Sequence, residues 1–255
     1  MPDRQRSRPI ALTPPIALTP LSNLTQLSQP NRGRAIAERK LPELADLPYA
    51  AALIRHDGDL TGESDFDTLL FEQAEYDEPR APDVRFLECA LRQVSIAGGT
   101  MPRARLHSVW ARDLRLTGTS LAESNWRDVT VLSSSLAGVQ VHGAVLRDVV
   151  LSGCKLDSVN FRFAKLTGVT FDHCVLRDVD FLGAELTRCT FPGSQLTRVD
   201  FSKVRMDRTD LRGAELGLVI DTDSLRGAII SSAQLAMAAP VLAEALGIVV
   251  NDDQP

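Results

Sequence analysis
The chain has 255 residues, 44% hydrophobic and 24% charged, with a net charge of −5. That length builds one large domain or two small ones, and the composition suits a soluble chain with a real core. The mild acidity argues against indiscriminate phosphate binding. No apolar run approaches the ~18 residues of a membrane-spanning helix. Four cysteines are too few for a disulfide scaffold.

Residues 1–40 hold 7 basic and 2 acidic residues, are rich in Pro, Ser and Gln, and keep no steady period. They are predicted to be a disordered tail. The echoing tracts Ile10 to Pro14 and Ile16 to Pro20 are cut by prolines, which makes a poor signal-peptide core; a cytoplasmic location is expected. Residues 41–83 reverse the charge, with 2 basic and 12 acidic residues. They are read as an N-terminal cap, in which Leu44, Leu47, Tyr49, Ala52 and Leu53 plug the end of the following structure. An irregular first coil is placed at about 58–83, where Phe66, Phe71, Tyr76 and Ala81 already keep its register and Leu60 stands one residue out of step.

From Phe86 the chain repeats every five residues. Phe86, Leu91, Ile96, Met101 and Leu106 open a series of 27 consecutive positions that ends at Leu216 and is large and apolar everywhere except Ala111. Neither the 3.6 period of a helix nor the 2.0 period of a strand produces this. Two residues before each site stands a small residue, as at Val109, Ser124, Ala144, Ala164 and Ala184. Two residues after, glycine recurs, as at Gly118, Gly138, Gly153 and Gly168. Asp, Asn or Thr often precedes the site, as at Asn125, Asn160, Asp180 and Asp200.

This pattern resembles the pentapeptide-repeat family, including members from actinobacteria, with Ala184-Glu185-Leu186, Val199-Asp200-Phe201 and Thr209-Asp210-Leu211-Arg212-Gly213 as its best units. The resemblance implies an all-β solenoid: a right-handed quadrilateral parallel β-helix with four repeats per coil, here over 84–220. Each five-residue side turns a corner, so its centre and the small residue before it point inward, and corners suit glycine. Coils stack every 20 residues, about 4.8 Å apart, which gives a rod of about 32 Å. Phe161, Phe181 and Phe201 then face Phe171 and Phe191 as two ladders, and Trp126 joins the structural core. A C-terminal cap is expected over 221–250, with a short helix N-capped by Ser231 or Ser232. Its apolar face would be Leu235, Ala238, Ala239, Leu242, Ala245 and Leu246, and Pro240 would kink or divide it. Residues 251–255 form a tail.

Little in the chain suggests chemistry. Cys89, Cys154, Cys174 and Cys189 all fall on the small inward position, so they read as reduced core thiols and not as a metal site. His107 and His142 follow inward sites and are expected in solvent. No Walker loop, nucleophile elbow or zincin motif is present, and a filled rod has no cleft. An enzyme, a cofactor and a metal are therefore not expected. Trp110, beside the weak site Ala111, is expected to pack over that gap; Phe163 and Leu182 are read as a small apolar patch.

The reading is a non-enzymatic scaffold that binds a protein. Its candidate partner-binding residues are Asp57, Asp59, Glu63, Asp65, Asp67, Glu72, Glu75, Asp77 and Glu78, which crowd one end of the rod. The family resemblance implies an alternative, a DNA-mimicking modulator of DNA gyrase or topoisomerase IV of the quinolone-resistance type. Mimicry needs an acidic rod, whereas residues 84–216 hold 18 basic and 14 acidic residues. Direct nucleic-acid binding is not expected, because arginines alternate with acids and no stacking platform is evident. No membrane partner is expected.

Overall fold
The structure is a computed structural model that describes residues 41–219 and 225–251. The predicted tail at 1–40 and all but the first residue of the one at 251–255 lie outside the described residues.

The five-residue period becomes a parallel β-solenoid. Its short strands fall into sheets of seven, eight and eight strands, each ordered by steps of one coil, so the chain makes about eight turns. Pairings in the repeat are parallel and shifted by 20 residues, until the last coil, where the shift falls to 19 after Thr197 and between Thr209–Asp210 and Ala228–Ile229. Phe66 pairs with Phe86, Trp126 with Leu146 and Leu186 with Met206 on one face. Leu91 pairs with Ala111 and Leu151 with Phe171 on the second, and Tyr76 with Ile96 and Leu176 with Leu196 on the third. A fourth column is held by single bridges, from Arg80 with Thr100 to Asp180 with Asp200. The first coil is regular from Asp65 onward, since its strands pair in register with the second.

Each corner residue, two after the inward site, has a left-handed backbone with φ near +50 to +80°. Glycine fills only some of them. Arg103, Arg188, Arg198, Lys203 and Phe163 adopt the same conformation, at a cost of about 1–2 kcal/mol each. Stacking of the neighbouring coils offsets that cost, because a corner cannot relax without breaking the pairs above and below it.

The interior is packed as the repeat requires. Phe161 stacks on Phe181 with centroids 5.0 Å apart and planes 6° apart, and Phe171 on Phe191 at 4.8 Å and 8°. The two ladders meet edge to face, with Phe171 6.2 Å from Phe181 and Phe191 6.4 Å from Phe201. All five rings are buried. Trp126 is buried too, and its indole N–H donates to Ser124 Oγ at 2.8 Å. Between these ladders and the first-coil cluster of Phe66, Phe71 and Phe86, smaller or aliphatic residues such as Leu91, Met101, Ala111 and Val131 line an apolar void of about 50 Å³.

Three expectations are corrected. First, Leu44, Leu47, Tyr49, Ala52 and Leu53 do not plug the end; their segment runs along the flank of the solenoid. Tyr49 OH donates to the carbonyl of Ser108 at 2.7 Å, and Arg112 pairs with Glu43 at 2.5 and 2.9 Å. The end is instead closed by strand Ile54–Arg55 on Leu69–Leu70, by the His56 ring against Phe66 and Phe71, and by buried Leu60. Second, Trp110 does not fill the Ala111 gap. It points outward and is 1% exposed because the flank segment lies over it, with its indole N–H on the Pro42 carbonyl at 2.8 Å. Third, Pro240 does not divide the C-terminal helix; one helix runs from Ser232 to Ala245. Ser231 caps it in a reciprocal box with Gln234. Its packed side is Gln234, Ala238 and Leu242, while Leu235, Ala239 and Leu246 stay exposed.

Candidate functional site
The nine acidic residues singled out by sequence are brought together as a collar around the N-terminal end. Asp57, Asp59 and Glu63 come from the irregular chain that closes the end. Asp65 and Asp67 flank buried Phe66 on strand Asp65–Asp67, Glu72 ends strand Leu69–Glu72, and Glu75 and Asp77 flank Tyr76 on strand Glu75–Asp77. Glu78 follows at the corner, with φ 50°. Strand alternation is what turns these acids outward, since each strand centre points into the core.

Cations balance only part of the collar. Arg55 lies 2.8 Å from Asp57 and 3.6 Å from Glu72, Arg92 also pairs with Glu72, and Arg85 lies 3.4 Å from Asp65. Asp67 accepts a hydrogen bond from Thr68 Oγ1. Among the described residues no cation pairs with Asp59, Glu63, Asp67, Glu75, Asp77 or Glu78. Tyr76 reports the field: burial first, then Asp59 and Asp57, raise its phenol above the usual range. Its hydroxyl donates to the Gly58 carbonyl at 3.2 Å.

The other candidates stay apart. All four cysteines are free and buried. Their thiols donate to main-chain carbonyls of their own and the preceding coil, as Cys154 does to Ser152 and Val131. Burial pushes Cys89 and Cys189 up to about 11, and the hydrogen bond with Cys154 and then burial raise Cys174. Such thiols are poor nucleophiles. His107, His142 and His173 are exposed on three different faces. Among the described residues no group of His, Cys, Asp and Glu is arranged to hold a metal, and no helix is long and apolar enough to cross a membrane. Phe163 is 65% exposed and lies across Gly183, where an added Cβ would come within 2.7 Å of the ring; half-buried Leu182 is beside it. Sequence reasoning missed His56, whose ring sits 5.0 Å from Phe66 and 4.8 Å from Phe71 with its Nε2 buried and unpaired. It precedes the first regular repeat, so periodicity gave no signal for it.

Comparison with known proteins gives the same picture of the repeat. Residues 133–201 match the family model described as pentapeptide repeat region. Among solved structures, a trypsin-treated form of QnrB1, a plasmid-mediated fluoroquinolone resistance protein, is similar at 19% identity over 78% of this chain and 98% of that one, with a TM-score of 0.42. HetL from the cyanobacterium Nostoc, a pentapeptide repeat protein involved in heterocyst differentiation regulation, is similar at 17% identity over 69% of this chain and 93% of that one, with a TM-score of 0.30. No curated protein matches the chain. The family model lies inside an unbroken five-residue register built as stacked parallel turns, so residues 133–201 are a pentapeptide repeat region.

Proposed function
We propose that the protein is a non-enzymatic cytoplasmic scaffold whose acidic first coil docks a basic surface of a partner protein. The observation that carries this reading is the unbalanced collar: six acids at one end face solvent and pair with no cation among the described residues, while acids further along the solenoid are repeatedly paired with arginine one coil away. Charges of one sign gathered at one end add their fields and steer an oppositely charged partner.

A DNA-mimicking role would distribute acid along the rod, where this chain alternates Arg with Asp and Glu. Titration of full-length protein with a basic probe, cytochrome c, at low and high salt tests the docking reading. Binding should weaken with salt, since the screening length is about 8 Å at physiological ionic strength, and should be lost when the nine acids become Asn or Gln. Gyrase supercoiling should be unaffected by stoichiometric protein. Gyrase inhibition abolished by the same substitutions would replace the docking reading with the mimicry one.

A further inference from the structure
In parallel strands, the main-chain groups of alternate residues point to opposite neighbours. Ser64 C=O accepts from the Arg85 N–H and the Thr68 N–H donates to Leu87 C=O, both at 2.9 Å. Likewise Ala74 C=O accepts from Ser95 N–H at 2.9 Å and Glu78 N–H donates to Ala97 C=O at 2.8 Å. The alternation therefore turns the N–H and C=O of Asp65, Asp67, Glu75 and Asp77 away from the second coil, toward the end of the solenoid. On the adjoining face Ile54–Arg55 occupies that next position. Strands Asp65–Asp67 and Glu75–Asp77 have no such neighbour among the described residues; each is the last strand of its sheet. All four of these strand residues are acids.

Side chains stack by the same rule. Arg85 lies on Asp65, Arg103 on Asp83 at 2.5 Å, Arg177 on Asp157 at 3.4 Å, Arg198 on Asp178 at 2.5 Å and Arg205 on Glu185 at 3.6 Å. In each pair the cation stands one coil after the acid. One coil after Glu75, Asp77 and Glu78 stand Ser95, Ala97 and Gly98, which carry no charge. The remaining stacking position for these acids is the one before the first coil, where no cation stands among the described residues.

We propose that strand Glu75–Asp77 is a docking edge for an extended basic segment of a partner protein, which adds as one further strand with Lys or Arg over Glu75 and Asp77 and an apolar residue over Tyr76. Main-chain hydrogen bonds hold such a strand and alternate side chains select it. The molecule's own Arg-on-acid pairs set the chemistry of recognition. A second copy does not fit: this edge against its own equivalent sets acid on acid. The proposal rests on the docking reading above and gives it a geometry.

The test uses full-length protein and a fluorescein-labelled octapeptide of alternating lysine and valine, followed by anisotropy. Two further peptides carry N-methyl groups on all valine amides or on all lysine amides; both keep the charge, and each loses the donors of one edge. Strand addition requires that one methylated peptide binds as the parent does and the other weaker by at least roughly tenfold. Glu75→Gln with Asp77→Asn should weaken the parent by a similar factor, and the parent should slow hydrogen exchange at the amides of Glu75 and Asp77. Equal binding of the two methylated peptides, or unchanged exchange, overturns strand addition, and salt-sensitive binding of all three would leave the collar reading standing. No binding by any peptide, with no binding of cytochrome c, overturns both.

Discussion

The two ends of the solenoid solve one problem in opposite ways. At the C-terminal end the last turn is covered by hydrogen bonds. Strand Ala228–Ile229 pairs with Thr209–Asp210, Leu211 N–H donates to Ile229 C=O at 2.9 Å, and Gln234 Nε2 donates to the carbonyls of Leu211 at 2.6 Å and Ala214 at 2.8 Å. At the N-terminal end, among the described residues, a further strand covers only the Phe71 face, and the two edge strands are bordered by acids instead. Charge on an edge strand is a known guard against unwanted pairing. The difference teaches that one end is finished by structure, while the other stays open to a strand of the right charge.

The largest way to break the comparison lies between the ends. Phe181 is stacked between Phe161 and Phe201 and meets Phe171 edge to face. Phe181→Asp places an unpaired charge in that core and should abolish the native circular dichroism and soluble expression. Phe181→Ala should cost about 3–5 kcal/mol, the usual range for losing a buried phenylalanine. Soluble, cooperative Phe181→Asp protein would mean that the ladder does not join the two ends.

At the ends the effects should separate. Gln234→Ala removes both carbonyl caps and should lower stability by about 1–3 kcal/mol, read as a lower midpoint in urea. Asp65→Asn, Asp67→Asn, Glu75→Gln and Asp77→Asn together should leave the midpoint almost unchanged. They should instead produce concentration-dependent association in sedimentation velocity, because the guard on the open edges is gone. A monomeric quadruple variant with wild-type hydrogen exchange at the edge amides would show that the acids do not guard it.

The regular part of this molecule was legible because one number governs it. A spacing of five fixed the inward column, a spacing of 20 fixed which residues stack, and Phe171 on Phe191 follows from counting alone. The acidic collar was legible as a cluster in sequence, and its position at an end followed from where the repeat begins. What counting could not show is where the chain leaves the period. Tyr49 and Leu44 are apolar residues before the first coil, and their pattern does not distinguish a plug from a flank. Trp110 decides it: a large ring on an outward position needs a cover, and the main chain at Pro42 supplies the acceptor for its N–H. Likewise the helix looks able to bury Leu235 and Leu246, but Gln234, the residue that bonds the open carbonyls, fixes its rotation and leaves both in solvent. The open edge itself was out of reach, since it depends on the absence of a neighbouring strand.

The smallest effect is a titration that reads the two N-terminal surfaces separately. The chain has two tyrosines, Tyr49 on the flank segment and Tyr76 on the docking edge. Burial first, then the nearby Cys89 and Glu88, raise Tyr49; burial, then Asp59 and Asp57, raise Tyr76. Each folded phenol thus holds its proton more firmly than the unfolded one, whose ordinary value is about 10. The stabilisation is fully present below that value and is lost as pH rises from it through the folded values. Native protein at pH near 10 should therefore show less phenolate absorbance than the unfolded chain, which shows about half of its full signal. Asp57→Asn with Asp59→Asn should bring one tyrosine back toward the ordinary range and leave the other alone. A basic peptide bound at Glu75 and Asp77 should do the same through its positive charge, and only for Tyr76. If both tyrosines of the native protein titrate near the ordinary value, neither the flank contact nor the edge is built as described.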